Sequence, residues 1–198
     1  MILVWPRLEH LPRYAAALEH GWSPDTLRED AAREELERIA ADPVRFMAEQ
    51  VDREAAGPPV TLPDGTRAAR LPGYRRWIWD GDFCGVIGLR WQRGTEALPA
   101  YVLGHIGFSV VPWKRKRGYA TRALAMLLAD AKQEGLRYVE LTTKLENVAS
   151  QRVIEANGGR LIERFTTPGE YGEREALRFR IDLPQDPSGS LAGPDRSR

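Results

Sequence analysis

The sequence predicts a single α/β domain in which helices are inserted between the strands of a mixed sheet. Three observations carry this. The stretch from 74 to 111 holds three β-rich runs, YRRWIWD (74–80), CGVIGLRW (84–91) and YVLGHIGFSVV (101–111). A helical period then takes over at 118–134, where Ala120, Leu124, Leu127, Leu128 and Ala131 fall on one face. Beyond it, short strands alternate with one further helix, the order of a sheet layered with helices.

Taken in order, ILVW at 2–5 reads as a first strand, and segments 11–20 and 24–55 read as helical. Ser23 is placed as an N-cap with Pro24 at the first helical position. Asp42-Pro43 divides the second segment, because a residue before proline is pushed out of the helical region. Residues 57–73 hold four prolines and three glycines and read as loop, with a turn at Pro63-Asp64-Gly65. GDF joins the runs at 74–80 and 84–91 into an antiparallel hairpin. YVELTT (138–143) is a strand, 147–157 a helix opened by Asn147 and closed by the glycines of NGG, and 160–166 and 175–183 are the last strands. The domain is read as 1–183. The tail at 184–198 lacks apolar periodicity and is expected to be disordered.

Composition removes several function classes. A net charge of +1 over 198 residues gives no global basic field for nucleic acid. The single cysteine, Cys84, rules out an intramolecular disulfide framework and makes a cysteine-based zinc site a poor fit, and three histidines leave few metal ligands. Cys84 itself reads as a small buried hydrophobe. No apolar run approaches the ~20 residues of a membrane span, and the N-terminal segment lacks a signal-length apolar core. The expectation is a cytoplasmic protein with no metal, no nucleic-acid partner and no membrane.

One stretch stands out. Lys114, Arg115, Lys116 and Arg117 lie directly before Gly118 and the helix at 118–134. Helix N-termini already carry partial positive charge, so four cations there call for an anion. A strand running into a basic, glycine-containing turn and a helix is a physical solution for holding phosphates, and a diphosphate is the simplest candidate. There is no GxxxxGK[ST] and no GxGxxG, so the common nucleotide loops are absent.

What stands here, Val110-x-Pro112-x-x-Arg115-x-x-Gly118-x-Ala120, closely resembles the coenzyme-A motif [QR]xxGx[GA] of the GNAT N-acetyltransferases. ENVASQRVIEANGGRLIE (146–163) resembles the next motif of that family. GHIGFSV is most similar to a bacterial branch described only as predicted acetyltransferases. The resemblance covers about 75–183, and the first 70 residues carry little of it.

The resemblance implies a GNAT fold: a mixed, mostly antiparallel sheet of about seven strands, with a splayed central pair and helices on both faces. It implies acetyl transfer from acetyl-coenzyme A to an amine, by direct attack in a ternary complex and without metal. The acceptor is a small molecule or a peptide, and residues 1–74 shape its side of the site. Arg115, Arg117, Gly118, Tyr119, Ala120 and Thr121 would cradle the pyrophosphate. Lys116 and Lys114 would reach the 3′-phosphate or face water. Backbone edges of Phe108 and Val110 would pair with pantetheine. Asn147, an N-cap on physical grounds alone, would also touch pantetheine, with Ser150 lining the same channel or simply packing.

Many relatives use a tyrosine where Ile154 stands, so the acid is vacant, unnecessary, or supplied by Tyr171 or Tyr119. His105 is the candidate base, since an ordinary histidine titrates near neutrality; a packed histidine and a water relay are the alternatives. Trp77 and Trp79 belong to a substrate wall or, more simply, to packing. Asp30, Glu34, Glu35 and Glu37 either attract a polycation or form a solvated face. A non-catalytic coenzyme-A-binding module is the rival function, and a homodimer stays open.

Overall fold

The computed structural model describes residues 1–25, 28, 30–62 and 64–184. The chain begins with β1 (Ile2–Val4), followed by α1 (Leu11–Glu19), α2 (Ala31–Ala41) and α3 (Pro43–Ala48). Three two-residue strands come next: β2 (Val51–Asp52), β3 (Val60–Thr61) and β4 (Arg67–Ala68). The central run is β5 (Gly73–Trp79), β6 (Phe83–Arg90), β7 (Ile106–Val110) and α4 (Tyr119–Gln133). The chain closes with β8 (Tyr138–Lys144), α5 (Val148–Glu155), β9 (Arg160–Thr166) and β10 (Glu175–Asp182).

Two sheets result. One has the order β1-β5-β6-β7 with β2 also on β5, and the other β8-β10-β9; every ladder in them is antiparallel. Between β7 and β8 the sheet parts. The two strands touch at one end, where His105 N–H donates to Glu140 C=O at 2.7 Å. No ladder joins them among the described residues. The splayed pair of the expected fold is this gap.

Helices cover both faces. Alternate residues of β5 and β6 point to opposite sides, so Ile78, Ile87 and Leu89 pack with Leu124 and Leu127 of α4, while Trp77, Phe83 and Val86 pack with Tyr14 and Leu18 of α1 and Phe46 of α3. A strand buried on both faces reads as a near-continuous apolar run, which is what CGVIGL is. Truncating Leu124 or Leu127, both fully buried, to alanine would cost about 2–5 kcal/mol.

The N-terminal region departs from expectation. Pro24 and Asp25 do not open a helix; Ser23 Oγ accepts the Asp25 N–H and donates to the Asp25 carbonyl, a local turn that competes with helix formation. The break at Asp42-Pro43 does occur, with Asp42 Oδ1 capping the Arg45 N–H at 2.9 Å. The loop at 57–73 contains the β3–β4 hairpin, turned at Asp64 and Gly65. Pro63 and the tail from 185 lie outside the described residues.

Candidate active site

The site is built around β7. Arg90 N–H donates to His105 C=O and Val111 N–H to Cys84 C=O, which fixes the parity of the β6–β7 ladder. The His105 carbonyl and the backbones of 107, 109 and 111 face β6, so those of Ile106, Phe108 and Val110 face the gap toward β8. This row of amides has no strand partner among the described residues. On the β6 side, Ser109 Oγ accepts from Trp22 Nε1 at 2.9 Å and donates to the Ser23 carbonyl, anchoring the strand to the N-terminal segment.

β7 ends in a tight turn. Residues Pro112–Lys114 form one 3₁₀ turn, Lys116 takes φ 61°, and Gly118 takes φ 71° as the residue before α4. Glycine adopts this left-handed conformation at no steric cost, and beyond the adjoining residues no protein atom lies within 4 Å of where its Cβ would stand. Among the described residues no backbone or side-chain acceptor takes the N–H groups of 116–121, so they open outward at the helix N-terminus.

The four cations have different fates. Lys114 Nζ lies 2.8 Å from Asp80 Oδ1, and the Tyr119 hydroxyl donates to the other oxygen of the same carboxylate. The Lys114 N–H donor, then Tyr119, hold the Asp80 carboxyl well below its ordinary value. Lys114 thus neither faces water nor waits for a phosphate, and the Tyr119 hydroxyl is already spent. Arg115 Nε donates to the Val110 carbonyl at 3.2 Å. Arg115, Lys116 and Arg117 are exposed. Asp80 belongs to the β5–β6 turn, and nothing local in the sequence points it at the basic segment.

A cleft of about 1030 Å³ occupies the splay and continues toward α2 and α3. It gathers Phe108, Asn147, Ser150 and Tyr171 from the expected residues, while His105, Val110 and residues 115–121 are not on its walls. Asn147 Oδ1 caps α5 through the Ser150 N–H at 3.1 Å. Asn157 Nδ2 donates to the Thr121 carbonyl and so ties the end of α5 to the first turn of α4. The Tyr171 hydroxyl donates to the Tyr101 carbonyl at 2.6 Å. Ile154, in place of the family tyrosine, is 1% exposed and gives the cleft wall an apolar side chain there.

His105 is placed differently from its expected role. It is fully buried, and Nδ1 accepts the Glu140 N–H at 3.0 Å. Burial, opposed in part by Glu140, pushes its pKa below the ordinary 6.5. A base must come within hydrogen-bond reach of the proton it takes, and a ring sealed in the β7–β8 junction does not meet an amine in the cleft. Its position is that of a clamp at the root of the splay.

The remaining candidates also sort themselves. Trp77 is fully buried and stacks on Tyr14 with ring centroids 4.7 Å apart, and neither Trp77 nor Trp79 lines the cleft. Cys84 is buried, its thiol pushed up to about 12 by burial and by Asp80. The acidic run is neither free nor merely solvated. Asp30 and Glu37 pair with Arg33, and Glu34 with Arg28. Glu35 is buried between the Tyr14 hydroxyl and Arg75 Nη1. Among the described residues no His/Cys/Asp/Glu cluster is arranged to hold a metal ion, and no helix is long and apolar enough to cross a membrane.

A splayed sheet whose free strand edge runs into a glycine-opened helix is the architecture of an acyltransferase, and comparison with known proteins agrees. A sequence model of the acetyltransferase (GNAT) domain matches residues 1–160, so the chain belongs to the GNAT acetyltransferase family. The match takes in α1, α2 and α3 as well as the strand core. No curated protein sequence matches the chain.

Solved structures share the fold. The microcin C7 self-immunity acetyltransferase MccE, solved with acetyl-CoA and AMP, is similar with TM-score 0.58 and 10% identity, covering 91% of each chain. RimL, a ribosomal L7/L12 alpha-N-protein acetyltransferase solved with coenzyme A, gives TM-score 0.57 and 11% identity over 91% of this chain and 93% of RimL. The yncA protein of Salmonella typhimurium, solved with its cofactor acetyl-CoA, gives TM-score 0.53 and 12% identity over 99% and 98% of the two chains. At these identities the likeness is one of fold.

Proposed function

We propose that this chain transfers an acetyl group from acetyl-coenzyme A to a primary amine, by direct attack in a ternary complex. The observation that carries the reading is the passage of β7 into α4: amides of Ile106, Phe108 and Val110 open to the splay and, after the one-turn 3₁₀ segment at 112–114, the N–H groups of 116–121 have no acceptor among the described residues. An extended pantetheine arm pairs with the first set as an added strand. A diphosphate sits on the second, where backbone donors and the helix dipole meet it. Arg115 and Arg117 supply compensating charge, with Gly118, Tyr119, Ala120 and Thr121 contributing backbone, and Lys116 reaches the 3′-phosphate. Asn147 and Ser150, on the facing wall of the cleft, contact the arm from the other side.

The amine nitrogen attacks the thioester carbonyl, forming the C–N bond, and the C–S bond then breaks with coenzyme A leaving as thiolate. A backbone N–H near Val110 stabilises the oxyanion. With Ile154 apolar and His105 sealed in the strand junction, the proton lost by nitrogen passes through water in the cleft and reaches the thiolate by the same route. Residues 1–74 shape the acceptor side, since α2, α3 and residues 58–62 and 69–71 line that half of the cleft.

Calorimetric titration with acetyl-coenzyme A tests the reading, with desulfo-coenzyme A and ATP as controls. Both coenzyme forms should bind with similar affinity and ATP much more weakly. Absence of coenzyme binding would overturn it.

A further inference from the structure

The acceptor half of the cleft is charged, and its charges are mostly matched within the protein. Arg28 meets Glu34, Arg38 and Arg45 meet Glu49, and Arg70 lies 3.6 Å from Asp52. Arg75 donates to Glu35 at 2.8 Å. Arg90 departs from this pattern, as Lys144 and Arg174 do elsewhere on the cleft wall. It ends β6, keeps accessible surface and lines the cleft, yet among the described residues no carboxylate lies within ion-pair distance of it.

Its position is defined by a gap in the neighbouring strand. Arg90 Nη2 is 3.5 Å from where a Cβ on Gly107 would stand, so the guanidinium lies across β7 one residue from Phe108. The Phe108 amide is part of the edge assigned above to the thioester arm, so the unpaired cation stands next to where transfer takes place. Desolvation and the nearby Arg75 guanidinium disfavour its charged form, and Tyr171 and then Asp25 offset this in part. A cation held under these conditions is stabilised strongly by any ligand that brings a negative charge with hydrogen-bonding geometry.

We propose that Arg90 binds a carboxylate on the acceptor, so that the substrate is an amine that also carries an acid group; the inference rests on the acetyl-transfer reading. A carboxylate fits better than a phosphate dianion. The Arg90 guanidinium presents a planar fork that donates to both carboxylate oxygens. Asp25, Glu34 and Glu35 line the same cleft and would repel a second negative charge.

The test uses the full chain with acetyl-coenzyme A and amino acids, each paired with its own carboxamide, acetylated product being read by mass spectrometry. The acids should exceed their amides by about tenfold or more in kcat/KM, the worth of one charge-assisted pair. Arg90→Gln should abolish that preference and Arg90→Lys restore part of it, while calorimetry shows acetyl-coenzyme A bound as tightly as before. Equal treatment of acids and amides, a preference that survives Arg90→Gln, or a phosphate-bearing amine outrunning the carboxylates would overturn the proposal. So would a protein that binds acetyl-coenzyme A and acetylates neither series. Loss of acetyl-coenzyme A binding in the unaltered chain would instead overturn the underlying reading.

Discussion

The Lys114 ammonium lies 2.8 Å from Oδ1 of Asp80, the carboxylate that also receives the Tyr119 hydroxyl. Asp80 sits in the β5–β6 turn, so it fastens both sides of the basic turn, residue 114 before it and the first residue of α4 after it, to the sheet. The anion that the basic segment calls for is therefore partly built in. One of the four cations is consumed in holding the turn, and the outward face is left to backbone amides, Arg115, Lys116 and Arg117.

A double-mutant cycle on Asp80→Asn and Lys114→Met tests this clasp. Both side chains are mostly covered, 19% and 16% exposed, so the coupling in unfolding free energy should be about 1–2 kcal/mol. The carboxyl is held well below its ordinary value of 3.8 by Lys114. A lowered carboxylate contributes fully above the unfolded value and loses that contribution as pH falls through the folded one. Coupling should accordingly be constant from neutrality down to about pH 5 and shrink only in stronger acid. Additive single variants at neutral pH would mean that the contact is incidental.

Gly118 separates two effects that a substitution there could have. At φ 71° a β-branched residue is strained, which should cost about 1–2 kcal/mol of stability in Gly118→Val. Its Cβ would meet no protein atom within 4 Å beyond the adjoining residues, and the branched side chain would stand where the proposed diphosphate would sit. Acetyl-coenzyme A affinity should then fall about a hundredfold or more, since backbone donors can no longer close on the anion. A folded variant with unchanged affinity puts the phosphates elsewhere.

The strands and α4 were legible because their patterns have local causes: continuous apolar runs where both sheet faces are covered, and a helical stripe at Leu124, Leu127 and Ala131. The turn between β7 and α4 was legible for the same reason, since strand, glycine and helix are adjacent in sequence. What escaped depends on residues that only topology brings together. Asp80 and Lys114 are 34 positions apart, and Glu35 and Arg75 are 40 apart. His105 reads as a plausible base because its residue type suits the chemistry, but whether a side chain meets solvent depends on where β7 leaves β8. The failed helix start at Pro24 has a local cause after all: a serine that caps a helix equally well closes a turn on Asp25.

Glu35 should be a stability hub rather than a dispensable surface charge. It accepts from Tyr14 of α1 and from Arg75 of β5, joining α2 to both. Removing one partner of a wholly buried pair costs about 3–5 kcal/mol, but Arg75 keeps 38% of its side chain exposed, so Glu35→Ala should cost about 2–3 kcal/mol. Tyr14→Phe, which loses only the hydroxyl contact, should cost about 1 kcal/mol. Urea denaturation curves of the two variants would decide this, and a Glu35→Ala midpoint matching the unaltered chain would rule the hub out.

His105 offers a prediction in which the sign separates clamp from catalyst. Burial lowers its folded pKa below 6.5, so just under that pH the unfolded chain binds more protons than the folded one. Stability is then complete above the unfolded value and falls as pH drops from about 6.5 toward the folded pKa. In His105→Asn this acid-side slope should flatten, because the replacement cannot take up a proton on unfolding. Loss of the clamp between β7 and β8 should also lower stability near neutrality, since the Glu140 N–H it satisfies is left to a shorter side chain. Turnover measured across the same pH range should keep the shape of the unaltered enzyme's profile. A variant that unfolds normally but loses the neutral limb of its kcat profile would return the base to His105, and with it a channel from the cleft to the strand junction.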